Sequence, residues 1–232
     1  MKMSENLDKK ERWEDTARRR TLKRRILVVL VTLGIGAAAL GTVKLVNAPT
    51  DQTPSILESL SDADWVKGDR QAQTVLIEYS DFQCPACKAY YPLVKQLAQD
   101  FSSQIVFVYR HFPLSGHQYA KLAARAAEAA GRQGKFWEMH DLIFENQNAW
   151  SNQENPKNIF TGFARSLLLD TDQFSRDLDS KEVKDKVDND YQSGVRAEVN
   201  YTPTFFLNGQ RISNPRSYKE FQKLINQAIK NP

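Results

Sequence analysis

Apolar residues follow two kinds of pattern along the chain: short continuous runs and longer stretches with helical spacing. Residues 74–80 and 104–110 are continuous runs, rich in β-branched and aromatic side chains, of the kind that forms buried central strands. Between them, apolar side chains from Tyr90 to Phe101 recur at helical intervals, which predicts an amphipathic helix. A strand, a helix and a strand at this separation form a βαβ unit, so we expect the two strands to be parallel.

The pattern is helical from residue 117 to residue 199, where no strand is predicted. The periodicity indicates five helices there, over 119–130, 136–146, 159–169, 172–178 and 181–195. The strand pattern then returns on both sides of Asn208-Gly209, a dipeptide that predicts a hairpin turn. An amphipathic helix over 218–229 completes the chain.

Residues 26–43 are eighteen uncharged residues near the N-terminus. At 1.5 Å per residue they would span about 27 Å, close to the thickness of a bilayer core. The Arg/Lys-rich residues 18–25 precede them, and positive flanks stay in the cytoplasm. We therefore predict a cytoplasmic basic tail over 1–25, a transmembrane anchor over 26–46 and an exported remainder.

A linker over residues 47–63 is predicted to join the anchor to the exported domain. A cleaved signal peptide is the alternative to the anchor. Against cleavage stands Pro49, which follows the small-residue site at Ala48. The prediction is thus a single-pass protein of the cell membrane, with its N-terminus in the cytoplasm and its catalytic domain periplasmic or extracellular.

The charge of the chain is concentrated beside the apolar segment. Residues 1–25 carry ten Lys/Arg and five Asp/Glu, whereas the other 207 residues carry 22 and 23. The net charge of +4 therefore reflects membrane topology rather than a basic domain surface. This distribution argues against nucleic acid as a partner.

The two cysteines of the chain, Cys84 and Cys87, follow directly on the first buried strand. Pro85 suits the first helical position, where its missing N–H costs nothing, so Cys84 is expected at the N-cap. Free backbone N–H groups and the positive end of the helix favour a thiolate there. Cys87 lies one turn along the same face, so the two sulfurs can meet. This arrangement indicates a redox site.

Four segments, taken in order, resemble the DsbA-like thiol:disulfide oxidoreductases of the thioredoxin superfamily. They are EYSDFQCPAC at 78–87, YRHFPL at 109–114, QGKFW at 133–137 and TPTFFLNG at 202–209. Tyr201 departs from the pattern, because close relatives usually carry glycine there.

The resemblance covers about residues 64–229 and implies an α/β, thioredoxin-like fold with an inserted helical domain. The exported part would then comprise a first thioredoxin segment over 64–116, the helical insertion over 117–199 and a second thioredoxin segment over 200–232. No cofactor and no resident metal are expected.

The catalytic residues expected are Cys84, Cys87 and Glu78. Cys84 should be the exposed, low-pKa nucleophile, and Cys87 the buried thiol that resolves the mixed disulfide. The two form the redox disulfide. Glu78 occupies the position of the family's buried acid, where a raised pKa would let it exchange protons with the resolving thiol. The alternative is a glutamate on an edge strand facing solvent.

The resemblance implies a cis peptide bond between Thr202 and Pro203, facing the cysteines. The Thr202 backbone would pair with an extended substrate, and the proline would keep metal away from the thiols. Pro85 and Ala86 are assigned to the same substrate-binding surface. An ordinary trans proline at the start of a strand is the alternative.

Other interpretations of the same residues remain open at this point. The cysteines would instead form a static disulfide, be unreactive core thiols, or bind zinc or copper with His111 and His117. His140 is expected on a helix surface, without a catalytic role.

We expect the protein to donate the cysteine disulfide to reduced, unfolded exported proteins, through a mixed disulfide at Cys84. An integral-membrane partner would reoxidise the dithiol. The alternatives are a reductase or isomerase kept reduced by a membrane electron donor, and a non-enzymatic metal-handling or chaperone-like module.

Overall fold

The computed structural model describes residues 60–231 of the chain. Within them lie five strands: β1 (Trp65–Gly68), β2 (Thr74–Ser80), β3 (Ile105–His111), β4 (Thr204–Leu207) and β5 (Gln210–Ile212). They form a mixed sheet in the order β1-β3-β2-β4-β5. β2 and β3 are parallel, as the βαβ pattern predicts, and the other neighbouring pairs are antiparallel.

Eight helices accompany the sheet in the same range. They are α1 (Pro85–Asp100), α2 (Ala120–Gly131), α3 (Phe136–Glu145), α4 (Gln147–Trp150), α5 (Lys157–Ser166), α6 (Thr171–Leu178), α7 (Lys181–Arg196) and α8 (Tyr218–Lys230). Helices α2 to α7 lie between β3 and β4, where the helical insertion was expected. Five of these six were predicted from periodicity. The exception, α4, has four residues, too few to show a helical period.

The edge strand β1 was not predicted. Its first three residues are half-buried and its last is exposed, so it lacks a continuous apolar run. β2 and β3, by contrast, are buried along their whole length because they lie inside the sheet. This central position makes β2 a rigid support for the residues that follow it.

Helices cover both faces of the sheet. Apolar side chains of α1 and α8 pack on one face, against residues such as Leu76 and Phe205. On the other face, Tyr191 of α7 packs with a cluster that includes Ile77 and Phe206. A third cluster contains apolar side chains from all six helices of the insertion, α2 to α7, together with both cysteines. The cysteines therefore lie where the thioredoxin segments meet the helical insertion.

No helix in residues 60–231 has the length and apolar character needed to cross a bilayer. The predicted anchor at 26–46, the tail at 1–25 and most of the linker lie outside the described residues. The domain boundaries proposed from the sequence stay predictions.

Candidate active site

The active-site segment is the turn between β2 and α1. Cys84 is the N-cap of α1, with φ −71° and ψ 122°, and Pro85 begins the helix, as predicted. The Cys84 N–H donates to the Asp81 carbonyl oxygen at 3.1 Å. The Cys84 carbonyl oxygen accepts from the Lys88 N–H at 3.1 Å, the first hydrogen bond of the helix. The turn therefore holds Cys84 with its sulfur close to the free N–H groups of the first helical turn.

Both cysteines are thiols and both are buried. Cys84 is 6% exposed and Cys87 is fully buried. Cys84 is therefore the more exposed of the two, but it is far less exposed than the sequence analysis expected. Cys84 Sγ lies 3.4 Å from the carbonyl oxygen of Thr202, which comes from the loop before β4 and covers the sulfur. Of the two cysteines, Cys84 is the one that retains some exposed surface.

The two thiols have opposite acidities. The pKa of Cys84 is lowered to about 5, chiefly because Cys87 donates a hydrogen bond to its sulfur. The backbone N–H groups of Cys87 and Ala86 lower it further, and burial opposes them. The pKa of Cys87 is raised well above its ordinary value, first by burial and then by the neighbouring Cys84.

Glu78 lies in the centre of the sheet and is 3% exposed. It pairs with Tyr109 of β3 on one side and Phe205 of β4 on the other, so the edge-strand alternative is wrong. Burial raises its pKa to about 7, Ser80 opposes this, and the charge of Cys84 adds to it. Glu78 also contributes to the raised pKa of Cys87, so the carboxyl acts on the more deeply buried thiol.

The peptide bond between Thr202 and Pro203 is cis, so the trans alternative is wrong. Both residues are buried, whereas Pro85 and Ala86 on the neighbouring helix start are exposed. The structure thus brings the Thr202 carbonyl to the sulfur of Cys84, with an exposed backbone segment beside it.

Residues 60–227 match a family model described as thioredoxin. The chain belongs to the thioredoxin family. Oxidised BdbD from Bacillus subtilis has a similar fold, with 23% identity and a TM-score of 0.66, covering 73% of this chain and 94% of that one. α-DsbA1 from Wolbachia pipientis is similar at 22% identity and a TM-score of 0.64, covering 75% and 95%. The DsbA-like fold expected from the sequence is confirmed.

A curated relative adds a similarity in sequence. The Na(+)/H(+) antiporter NhaA 1 of Salinispora arenicola is 42% identical over 151 residues. The match covers 65% of this chain and 22% of the antiporter. This thioredoxin-family chain spans about a quarter of the length of the curated relatives it matches.

The two histidines of the metal alternative contact carboxylates. His111 Nε2 lies 2.8 Å from Glu128 Oε1, and His117 Nδ1 lies 2.7 Å from Asp81 Oδ2. In the described residues, the potential metal-ligating side chains close enough to share one ion are those of His111, Glu128 and Asp190, without either cysteine.

The ammonium of Lys186 lies within this buried group. It is 2.7 Å from Asp190 Oδ2 and 3.9 Å from Glu128 Oε1. Lys186 therefore already supplies a cation to the two carboxylates.

His140 is buried, so its expected place on a helix surface is wrong. Its ring packs against aromatic neighbours that include Phe82, Tyr109 and Phe144. Burial lowers its pKa to about 4, which Asp141 opposes, so the ring is neutral at pH 7. Buried positions of α3 recur at helical intervals, 136, 139, 140, 143 and 144, and this spacing was the available sequence signal.

Asp81 is a site residue that the sequence analysis did not single out. Its carboxylate accepts from the N–H groups of Gln83 at 2.7 Å and Leu114 at 2.9 Å, and contacts His117. Its own N–H lies 3.5 Å from Cys87 Sγ. An aspartate that bonds the backbone two residues on is a known turn former, so the Asp81-Phe82-Gln83 sequence carried this signal.

Proposed function

We propose that the chain is a thiol:disulfide oxidoreductase in which exchange runs through Cys84. The proposal depends on one observation: the pKa of Cys84 is lowered and that of Cys87 is raised, although the two thiols belong to the same motif. With a pKa of about 5, Cys84 is almost wholly thiolate at pH 7, while Cys87 stays protonated. A thiolate is both the attacking and the favoured leaving species in disulfide exchange.

The proposed reaction transfers a disulfide to a substrate dithiol. A substrate thiolate attacks Cys84 Sγ of the oxidised pair, a new S–S bond forms, and Cys87 leaves as a thiolate that takes up a proton. The second substrate thiolate then attacks the substrate sulfur of the mixed disulfide, and Cys84 leaves as a stable thiolate. The substrate loses two electrons and its two thiol protons. One proton goes to Cys87 and the other to solvent, so the reduced protein carries a Cys84 thiolate and a Cys87 thiol.

Glu78 is the proposed proton donor and acceptor for Cys87. Its pKa of about 7 allows it to hold or release a proton near neutral pH. It borders a small cavity with room for about one water molecule, and Lys67, His140 and Asp141 also line that cavity. A water molecule there would connect the carboxyl with polar groups nearer the surface.

The substrate is proposed to bind as an extended segment across Thr202 and Pro203. The Thr202 carbonyl oxygen contacts the sulfur of Cys84, so a chain paired with this backbone would place its own sulfur within reach. Pro85 and Ala86, exposed beside the same sulfur, would form the other wall of the surface.

The proposal includes the direction of the reaction, in which the protein oxidises its substrates, and the location of the catalytic domain outside the cytoplasm. A thiolate stabilised in the reduced protein makes the disulfide a stronger oxidant, which supports donation to reduced exported proteins. The dithiol would then be reoxidised by an integral-membrane redox partner. The apolar segment at 26–46 would hold the protein at the membrane.

Trapping of the mixed disulfide tests the reaction. The Cys87→Ser variant should accumulate a covalent adduct with a peptide disulfide through Cys84, visible by mass spectrometry and reversed by dithiothreitol. The Cys84→Ser variant is the matched control and should form none. Equal adducts in both variants, or none in either, would exclude the assigned roles.

Equilibration with glutathione measures the reduction potential of the cysteine pair and so tests whether the protein donates or accepts disulfides. A reduction potential above about −200 mV would support a disulfide donor, as for the strongly oxidising members of this superfamily. A value below about −250 mV would instead support the reductase alternative.

A further inference from the structure

The helical insertion reaches the cysteines through Gln147, the first residue of α4. Its side chain is buried, with 3% of the residue exposed. Its amide Nε2 donates to the carbonyl oxygen of Phe82 at 2.7 Å and to that of Cys84 at 3.0 Å. One NH₂ group thus uses both of its protons on the two carbonyls that flank Gln83.

These two hydrogen bonds act on the backbone conformation of the nucleophile. The Cys84 carbonyl also accepts from Lys88, so it is held from the helix and from the insertion together. Its orientation fixes ψ of Cys84 at 122°. At this angle Cys84 is the N-cap of α1, with its side chain at the end of the helix where the first-turn N–H groups are free. Rotation of that peptide plane would turn the N–H groups away from the sulfur.

Gln147 is itself firmly anchored in the insertion. Trp150, three residues on, is fully buried, and its indole N–H donates to the Ile143 carbonyl at 2.8 Å. From the opposite direction, the Gln83 amide donates to the Ser151 carbonyl at 3.0 Å. The two glutamines therefore cross-link the active-site turn and α4 in both directions, so a displacement of one element is transmitted to the other.

We propose that Gln147 is a positioning residue of the disulfide centre, through which the helical insertion holds Cys84 at the N-cap of α1 with its sulfur facing the first-turn N–H groups. The inference rests on the proposed function and deepens it. It gives the insertion a direct effect on the chemistry of Cys84, in addition to any effect on substrate binding.

The variant Gln147→Leu removes both donors and keeps a buried side chain of similar size. Without these two hydrogen bonds, the midpoint of Cys84 thiolate formation should rise by about half to one pH unit. The equilibrium constant for oxidising glutathione should fall by about 3–10-fold, because the thiolate is less stable. Absorbance near 240 nm against pH measures the midpoint, and a glutathione titration measures the equilibrium.

Asn148→Ala is the matched control. Asn148 is the next residue of α4, is exposed and contacts the Lys88 ammonium at 3.1 Å. Its replacement should leave the midpoint and the glutathione equilibrium unchanged. A second variant, Gln147→Asn, keeps the amide but is one methylene shorter, so it should give a smaller change in the same direction. It also serves as the test if the leucine variant does not unfold cooperatively in urea.

A folded Gln147 variant with the wild-type midpoint and equilibrium would overturn the inference. A wild-type protein that forms no thiolate below pH 7 would instead refute the proposed function itself. The two failures are therefore distinguishable, because one appears in the variant and the other in the parent protein.

Discussion

Replacement of Glu78 by glutamine should stabilise the reduced protein at pH 8 much more than at pH 4.5. In the folded state its pKa is raised from 4.5 to about 7 by burial. Below pH 4.5 the carboxyl is protonated in both the folded and unfolded states, so it affects stability little. As the pH rises through 7, the folded protein must ionise a buried group that the unfolded chain has already ionised, and stability falls.

The size of this effect follows from the two pKa values. At about 1.4 kcal/mol for each pH unit, the penalty at pH 8 amounts to about 3 kcal/mol. Glutamine carries no ionisable proton and avoids the penalty. Burying the amide has its own cost of about 1–3 kcal/mol where a hydrogen bond is left unmade, but that cost does not change with pH.

Urea unfolding followed by tryptophan fluorescence at pH 4.5, 6 and 8 measures the prediction. The free energy of unfolding of Glu78→Gln minus that of the wild type should rise by about 3 kcal/mol across this range. Glu154→Gln is the matched control, because Glu154 is exposed in the loop before α5, and its difference should stay nearly flat. The titration of Cys84 is present in all three proteins and largely cancels.

A difference that is the same at pH 4.5 and pH 8 would refute the reasoning. It would mean that Glu78 is not protonated in the folded protein at pH 6. The proton transfer proposed between this carboxyl and Cys87 would then lose its physical basis.

Three further predictions concern packing and charge. A Cβ on Gly194 of α7 would lie 2.5 Å from a ring carbon of Phe112, so Gly194→Ala should destabilise the protein by about 1–3 kcal/mol. A Cβ on Gly162 would meet no atom within 4 Å beyond its chain neighbours and the backbone of its own helix, so Gly162→Ala should stabilise the protein by up to about 1 kcal/mol. Lys186→Met leaves two buried carboxylates without their ammonium and should cost about 3–5 kcal/mol, whereas the exposed Lys181→Met should change stability little. The lowered pKa of Cys84 stabilises the reduced protein above the ordinary pKa of 9.0, and this contribution is lost as the pH falls through 5, so the stability advantage over Cys84→Ser should shrink from pH 8 to pH 4. Urea unfolding tests all three, and a reversed order of either matched pair, or a constant Cys84 difference, would contradict the corresponding argument.

The elements that the sequence predicted correctly are those specified by local chemistry. The N-cap position of Cys84 follows from Pro85 alone, and the parallel pair of strands follows from two apolar runs and the helix between them. The cis bond at Thr202–Pro203 is different, because it was expected only from the family resemblance. No local pattern places that loop beside Cys84, 118 residues away.

The features that were missed depend on contacts between distant residues. Gln147 approaches Cys84 across 63 positions, and a single polar residue in a four-residue helix gives no periodic signal. Lys186 reaches Glu128 from another helix of the insertion, so their pairing is a property of helix packing. Asp81 combines both situations. Its role in the turn could be predicted from the local sequence, whereas its contact with His117 could not.

Packing, rather than the motif, decides which cysteine has the lower pKa. Cys84 at the N-cap and Cys87 in the first turn both lie at the positive end of α1, where the helix dipole favours a thiolate by about 0.3–1 kcal/mol, up to ~2 kcal/mol in partly buried sites. Full burial of a charge costs several kcal/mol, which exceeds that gain. Cys87 is fully buried and its pKa rises, whereas Cys84 keeps some access to solvent and accepts the hydrogen bond from Cys87. The difference between the pKa values of the two thiols should therefore become smaller if solvent gained access to Cys87, even with the Cys-Pro-Ala-Cys sequence unchanged.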